Sequence, residues 1–493
     1  MGAAATPGPP TRRVHRPALR DRVLSALARF LVRCFYRSVE VEGPLPRSGR
    51  VLLAASHLNG FVDPVVMTAR LGVLPRFLAK ATLWDVRAAR PFLSFARIIP
   101  VYRRVDAGGG AVDNTSTFSA AVDALAEDHL VAIFPEGTTH DDPAIRELHT
   151  GVARIALQAL ASGLPDVTII PVGITYEDKV AVRGRALVSF GPAIRLSAAD
   201  APAGDDHEAV RALTRRLTDA LRGVTPAFDS LDDALGLRSA AEVTLRRDAR
   251  PVPVAATQDL ARRLAGAGPD DRERVVTTAA RYQLLLDHVH LTDEELVAGT
   301  GLKVLTRRLV GLALLVVLLA PFAAAGLLVN LVPAALVLVA GLVPRAPVSK
   351  GTIRFLVAAV AFPLTWLAVA VWDGGDGWLA GATRGVTFPA EPLMEATFAD
   401  RQGVAAGLIV FLAAPLFGAA TLLLIDRVRT LVGDLVVWRT TLDRRGQLPA
   451  VRERRAQLVA ATGAVASGTQ RPAGAPEPAP VPVPAGTPEV APG

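Results

Sequence analysis

The chain has almost no cysteine. Cys34 is the only one among 493 residues, so neither a disulfide framework nor a cysteine zinc site can form within one chain. The first residues also lack the apolar segment and the small-residue cleavage site of a secretory signal. These absences favour a reducing compartment and predict no export. Cys34 itself lies in an apolar helical pattern, which favours packing over a nucleophilic role.

Patterns typical of nucleic-acid binding are absent as well. The chain is basic, with a formal net charge of +8 and a pI near 10.3. It nevertheless has no zinc-finger spacing, no interleaving of aromatic and basic residues and no recognition-helix motif. Its mean hydropathy is positive, at +0.35. Apolar bulk combined with an excess of arginine predicts membrane lipids as a partner and no nucleic acid.

Long uncharged runs are present in the second half of the chain. Residues 309–343 contain no charged side chain. Because about 20 helical residues suffice to cross a hydrocarbon core, we predict a helical hairpin here with its turn at Asn330 and Pro333. Two further apolar stretches, 355–371 and 404–425, complete about four crossings. The basic residues beside them predict a multi-pass protein of the cell membrane whose N-terminal half faces the cytoplasm.

Composition and periodicity divide the chain into seven segments. Between residues 38 and 200, short β-rich runs alternate with helical stretches, which predicts an α/β domain whose mixed sheet is flanked by helices. The other predicted segments are residues 1–16, disordered; 17–37, a basic amphipathic helix; 201–302, a helical region; 303–426, an α-helical transmembrane domain; 427–465, a basic helix; and 466–493, a disordered Pro/Ala tail.

His57 and Asp63 form a candidate catalytic pair. The run VLLAA ends as a strand, His57 follows in a loop, and Asp63 and Pro64 take the N-cap and first helical positions of a new helix. This placement predicts that the two side chains meet. A neutral imidazole can take a proton from a hydroxyl when its other nitrogen donates to a carboxylate. A solvated loop histidine beside an ordinary helix start has the same pattern. The choice between a catalytic pair and this alternative therefore depends on the other motifs.

Three further stretches carry groups suited to binding. RIIPVYRR ends in forked arginine donors that suit phosphate. IFPEGTTH contains a turn that leaves backbone amides and a hydroxyl available, and IIPVGITY has the composition of a core strand with a proline. Their candidate residues are Arg103 and Arg104 in the first stretch, Glu136, Gly137 and Thr138 in the second, and Pro171 in the third.

Together these four stretches resemble the motif blocks of the glycerol-phosphate acyltransferase superfamily, in the same order: HLNGFVDP, IIPVYR, FPEGT and IIPVG. The resemblance covers residues 39–192 and implies that residues 38–200 form an acyltransferase domain. The form of the first block looks like that of a membrane-bound branch. One departure is Arg97, which occupies a position where the arginine block usually has glycine.

The resemblance implies roles for individual residues. His57 is the general base and Asp63 orients it. The implied substrate-binding residues are Arg103, Glu136, Gly137, Thr138 and Pro171, with Lys80 and Arg104 as additional candidates. The acyl group arrives on coenzyme A or acyl carrier protein, which is a co-substrate, so no cofactor is expected. No metal is expected either, because the histidines near Asp142 and Val289 lack further ligands at metal-site spacing.

The expected reaction moves a fatty acyl group from a thioester to a hydroxyl of glycerol-3-phosphate or a related glycerol phosphate in phospholipid biosynthesis. The acceptor stays open among glycerol-3-phosphate, dihydroxyacetone phosphate and lysophosphatidic acid, the last acylated at its second hydroxyl. A catalytically silent lipid-binding scaffold is disfavoured by the intact His57, Asp63, Arg103 and Glu136. A transporter is disfavoured because the predicted spans contain no charged residue.

Overall fold

The computed structural model describes residues 18–103, 106, 113–181, 183–201, 206–298, 302–343, 347–376, 402–443 and 446–468. Arg104, the predicted disordered segment 1–16 and residues 469–493 of the predicted tail lie outside the described residues.

The described residues form eight strands, all between residues 36 and 197, and helices along the chain. The strands are β1 (Tyr36–Glu42), β2 (Val51–Ala55), β3 (Arg76–Lys80), β4 (Ile99–Val101), β5 (Val131–Ile133), β6 (Asp166–Tyr176), β7 (Gly184–Phe190) and β8 (Ile194–Ser197). The helices are α1 (Leu19–Phe35), α2 (Val62–Leu71), α3 (Arg90–Phe95), α4 (Thr115–Ala126), α5 (Gly151–Ala161), α6 (His207–Arg222), α7 (Leu231–Leu245), α8 (Val254–Ala265), α9 (Pro269–Val289), α10 (Asp293–Ala298), α11 (Leu302–Ala340), α12 (Pro347–Asp376), α13 (Gln402–Asp443) and α14 (Leu448–Ala466).

The eight strands form one mixed sheet in the order β1-β7-β6-β2-β5-β3-β4, with β8 also paired to β6. The run from β6 through β2, β5 and β3 to β4 is parallel. β7 and β8 pair antiparallel with β6. All five residues of β2 are buried, as expected for a central strand covered on both faces. The predicted mixed α/β domain is therefore confirmed.

The sheet separates two hydrophobic cores. On one face α4, α5 and α6 cover Leu52, Val131 and Ile169. On the other face α1 and α2 cover Leu53, Ala132 and other apolar side chains. The alternating inward and outward side chains of a strand explain this division, since neighbours along β2 point to opposite faces.

The region after the sheet is a helical bundle. Helices α7, α8 and α9 pack together with α14 from the C-terminal part of the chain. Leu237, Tyr282 and Leu458 are fully buried between them. The predicted basic helix over residues 427–465 is not one element: α13 extends to Asp443, and α14 starts at Leu448 because its apolar residues complete this bundle core.

Three helices of the described residues are long and apolar enough to cross a membrane: Leu305–Ala340, Lys350–Trp372 and Leu408–Thr440. Four crossings were predicted from the sequence. The predicted hairpin turn is absent, because α11 runs as one helix through Asn330 and Pro333. Asn330 instead donates to the carbonyl of Gly326 and accepts from the indole of Trp366 in α12. Its polar side chain forms a hydrogen bond between α11 and α12, as is common between helices of membrane proteins.

Candidate active site

The sequence-predicted residues gather at one edge of the sheet. Parallel strands have their carboxyl ends at the same edge, and β2, β3, β4, β5 and β6 all run the same way. The residues at or just beyond these ends are His57, Lys80, Arg103, Glu136, Gly137 and Tyr176. Strand polarity alone therefore brings together groups that are up to 119 residues apart in the sequence.

His57 and Asp63 are in direct contact. The Nδ1 atom of His57 lies 2.9 Å from Oδ2 of Asp63, and the imidazole stacks on the ring of Phe134 with centroids 4.1 Å apart. A carboxylate only accepts hydrogen bonds, so Nδ1 carries the hydrogen and Nε2 is the basic nitrogen of the neutral ring. The His57 side chain is 18% exposed whereas that of Asp63 is fully buried. The ring is therefore held by Asp63 and Phe134 and stays partly exposed.

Asp63 is held by three donors. Besides His57, its Oδ2 accepts from the backbone amide of Asn59 at 2.8 Å. Its Oδ1 accepts from the hydroxyl of Tyr176 at 2.6 Å. Burial, and then the negative charge of Asp63, raise the pKa of Tyr176 well above its usual value, so the phenol keeps its proton and donates it. Helix α2 begins at Val62, slightly earlier than predicted, which places Asp63 in its first turn, where a carboxylate is favoured.

Glu136 is buried, and both of its carboxylate oxygens accept hydrogen bonds from other groups of the protein. Its Oε1 accepts from the backbone amide of His57 at 2.9 Å, and its Oε2 accepts from the amide of Arg146 at 2.9 Å and from Nε2 of His140. His140 accepts from the Asp142 amide through Nδ1, so it is neutral and donates through Nε2. This geometry gives Glu136 a role in holding the His57 loop, where sequence reasoning assigned it to the acceptor site.

Arg103 and Gly137 are in contact at the edge of the sheet. Nη1 of Arg103 donates to the carbonyl of Gly137 at 2.8 Å. Two further nitrogens donate to Asp106 at 2.7 and 2.8 Å, and these bonds lower the pKa of the Asp106 carboxyl. Lys80 is exposed at the end of β3, and its charge also acts on Asp106. The result is a cationic rim beside the His57 loop.

Backbone geometry explains two residue choices at this rim. Gly137 has φ +69, and a Cβ there would lie 2.7 Å from the ring of His149, so only glycine fits without displacement. Arg97 also has a positive φ of 51. Glycine is the residue that adopts this conformation at least cost, which agrees with the glycine that usually occupies this position in the acyltransferase motif.

The other predicted residues, Pro171 and Thr138, make no hydrogen bond to His57 or Asp63 among the described contacts. Pro171 is buried within β6, in register with Ala54 of β2. Its carbonyl accepts from the amide of Gly191, so it contributes to the sheet below the site. The side chain of Thr138 is exposed. Among the described residues no group of three or more His, Cys, Asp and Glu side chains is placed to hold a metal ion.

Sequence reasoning assigned no role to Tyr176, Asn59 and His140. Tyr176 ends the strand whose middle contains the IIPVG motif, and its position at the carboxyl end of a parallel strand was the signal that could have found it. His140 was considered in the sequence only as a metal ligand, and its contact with Glu136 follows from the folded turn. Asn59 acts mainly through its backbone amide, for which the side chain gives no signal.

The mixed sheet thus has the contacting pair His57 and Asp63 at its carboxyl edge, with the cationic rim beside it. Residues 38–175 match the family model described as Acyltransferase. This match makes residues 38–175 similar to acyltransferases, and the relatives below are similar over stretches of comparable length.

Two similar proteins come from Saccharomyces cerevisiae. Glycerol-3-phosphate O-acyltransferase 2 is 32% identical over 160 residues, which are 31% of this chain and 21% of that protein. Glycerol-3-phosphate O-acyltransferase 1 is 26% identical over 159 residues, again 31% of this chain and 21% of that protein. The chain thus matches about a fifth of the length of these relatives.

Among solved structures, the 1-acyl-sn-glycerophosphate (LPA) acyltransferase PlsC from Thermotoga maritima is similar, at 17% identity and a TM-score of 0.31. The similarity covers 41% of this chain and 79% of that one.

Proposed function

We propose that the protein transfers a fatty acyl group from a thioester to a hydroxyl of glycerol-3-phosphate or a related glycerol phosphate, in phospholipid biosynthesis. The observation that carries this proposal is the bond between His57 and the buried Asp63. It leaves Nε2 of His57 as the basic nitrogen of the neutral ring. The yeast relatives named as glycerol-3-phosphate O-acyltransferases support the choice of acceptor class.

The mechanism follows from the tautomer of His57. Nε2 removes the proton of the acceptor hydroxyl as the oxygen attacks the thioester carbonyl, and the resulting imidazolium is stabilised by Asp63. When the tetrahedral intermediate collapses, the C–S bond breaks, the new ester remains and the thiol leaves with a proton returned by His57. General-base help of this kind contributes about a hundred- to ten-thousandfold in rate. No cofactor and no metal enter this sequence.

The cationic rim is suited to the acceptor phosphate. Arg103 is held by Gly137 and Asp106, so its forked guanidinium is pre-oriented for a phosphate, which can displace Asp106 as the anionic partner. Lys80 adds a second positive charge beside it. Glu136 fixes the backbone of His57 and in this mechanism is a positioning residue.

The membrane is where the acyl chains of donor and product partition, which agrees with three candidate membrane spans. The basic flanking residues support a multi-pass protein of the cell membrane with the catalytic domain in the cytoplasm. Cytoplasmic coenzyme A or acyl carrier protein then has access to the site.

The test is acyl transfer by the purified full-length protein in lipid. Labelled acyl-coenzyme A and acyl carrier protein are each offered with glycerol-3-phosphate, dihydroxyacetone phosphate and lysophosphatidic acid. We expect product from a glycerol phosphate acceptor, and we expect His57→Ala to reduce it at least about a hundredfold. His288→Ala, at an exposed position of α9, is the control and should retain activity.

Product from lysophosphatidic acid alone would assign the second hydroxyl as the acceptor position. Full activity in His57→Ala would refute the general-base assignment. No product with either donor and any acceptor would favour a lipid-binding scaffold.

A further inference from the structure

The first turns of helix α12 pack against the loop that carries the catalytic pair. Oγ1 of Thr352 donates to the carbonyl of Asn59 at 3.2 Å. One turn further, Phe355 is fully buried and lies against the rings of Phe35 and Phe61, with centroids 4.7 and 6.2 Å apart. The contact joins the start of the candidate span Lys350–Trp372 to the catalytic loop.

Two glycines allow this close approach. A Cβ at Gly351 would lie 2.5 Å from Oδ1 of Asn59 and 2.8 Å from the carbonyl oxygen of Lys179. A Cβ at Gly60, which has φ +49, would lie 2.4 Å from Oγ1 of Thr352. Real Cβ atoms do not approach other heavy atoms this closely, so a larger residue at either position would separate helix and loop.

Asn59 connects this contact to the catalytic carboxylate. Its backbone amide donates to Oδ2 of Asp63, the same oxygen that holds His57. Its carbonyl accepts from Thr352, and its side-chain amide donates to the carbonyl of Lys179 at 3.2 Å. Asn59 is only 1% exposed. A displacement of the α12 start is therefore transmitted through one residue to the carboxylate that orients the base.

We propose that Thr352 and Gly351 are positioning residues for catalysis, which make the start of a membrane helix part of the active-site framework. Both lie outside residues 38–175, the segment that matches the acyltransferase family. The proposal rests on the proposed function for its catalytic consequence, but the contact itself is independent of it. It also predicts that the catalytic loop is located where α12 enters the membrane.

The test compares variants of the full-length protein in lipid nanodiscs. Thr352→Val keeps the shape and removes the donor; Gly351→Ala adds the Cβ that has no space. We expect kcat to fall about five- to tenfold in each, with KM changed less than about twofold, because the loss of one hydrogen bond near the base affects the transition state more than binding. Thr352→Ser, which restores the donor, should recover most of the lost rate.

Each variant has a matched control. Thr365 lies in the same helix and donates only to its own helix, at the carbonyl of Ala361, so Thr365→Val should leave kcat unchanged. Among the described residues, nothing lies within 4 Å of a Cβ at Gly311, so Gly311→Ala controls for added helix propensity. Equal losses in Thr352→Val and Thr365→Val, or an unchanged kcat in Thr352→Val, would overturn the proposal.

Hydrogen exchange separates this proposal from the proposed function. In Thr352→Val we expect faster exchange of peptides that cover residues 56–63, which include the Asn59 amide, and no change in Thr365→Val. If the wild-type protein made no product, the function would fail while this measurement still tested the contact. Unchanged exchange in both variants would overturn the positioning role even in an active enzyme.

Discussion

At the scale of single residues, the site depends on how a fully buried carboxylate is satisfied. Asp63 accepts from His57, Asn59 and Tyr176. Tyr176 is the donor to Oδ1, and burial of a charged oxygen without a donor costs about 1–3 kcal/mol or more. Tyr176 therefore supports both the fold and the position of the carboxylate that His57 contacts.

We predict that Tyr176→Phe lowers both activity and stability. Removal of the hydroxyl leaves Oδ1 of Asp63 without its phenol donor, so the carboxylate can move and orients His57 less well. The expected loss in free energy of unfolding is about 1–3 kcal/mol, with about a tenfold loss in kcat. Thermal unfolding and acyl transfer measure the two effects. Retention of both would mean that Asp63 does not need this donor.

The same variant makes a pH prediction. The pKa of Tyr176 is raised in the folded protein, so this tyrosine contributes stability that is fully present below its unfolded pKa of about 10 and is lost as pH rises further. Tyr176→Phe should therefore lose less stability than the wild type between about pH 9 and 11. Parallel losses in the two proteins over this range would contradict the assignment.

The contact between His57 and Asp63 could be predicted because strand, loop and helix signals place them a few residues apart. The role of Glu136 could not, because its partners are the backbone amides of His57 and Arg146. Backbone donors have no side-chain signature, so their positions follow only from the folded loops. Tyr176 was missed for a related reason: its distance of 113 residues from Asp63 is closed by sheet order.

At the scale of secondary-structure elements, α14 is the helix whose position is least expected from its sequence. It lies far from α7 and α9 in the chain but completes their core with Leu448, Val451 and Leu458. Its arginine content suggested a basic helix. One of those arginines, Arg455, instead donates to Asp293 at 2.7 Å and to carbonyls of the bundle.

We predict that Leu458→Asp unfolds the helical bundle locally. Leu458 is fully buried, and an unpaired carboxylate there together with the lost apolar side chain should cost more than about 3 kcal/mol. Ala456→Asp, at an exposed position of the same helix, should cost less than about 1 kcal/mol. Thermal unfolding and proteolysis near α14 measure the difference. Similar effects in both variants would argue against the packing of α14.

Helices and strands were predictable where apolar patterns were strong. The buried strand β2 and the long apolar helices belong to this class. The boundary between α1 and strand β1, of sequence YRSVEVE, was less predictable because the edge strand follows the helix without a break. The hairpin in α11 was wrong because a proline can lie within a membrane helix when neighbouring helices supply packing and hydrogen bonds.

At the scale of the whole molecule, contacts between distant segments limit the membrane topology. Thr352 contacts Asn59 of the catalytic domain, and α14 packs against α7 and α9. Groups in contact lie on the same side of a membrane. The net number of crossings between residues 302 and 349 is therefore even, and so is the number between residues 302 and 448. One full crossing by each of the three candidate spans would make both numbers odd.

Single cysteines test this conclusion, because Cys34 is the only native cysteine and Cys34→Ala gives a background without reactive thiols. We predict that Ser349→Cys and Gln447→Cys react with a membrane-impermeant maleimide from the same side as Gln283→Cys, an exposed position of α9. Gly375→Cys, near the far end of α12, should react only from the other side.

Three single crossings predict the opposite pattern at every test position. Ser349 and Gln447 would then react from the side opposite to Gln283, and Gly375 from the same side. That result would separate the start of α12 from the catalytic loop and would also refute the positioning role of Thr352. The predicted pattern would instead place the His57–Asp63 loop at the membrane surface, where an acyl thioester and a lipid product can both reach Nε2 of His57.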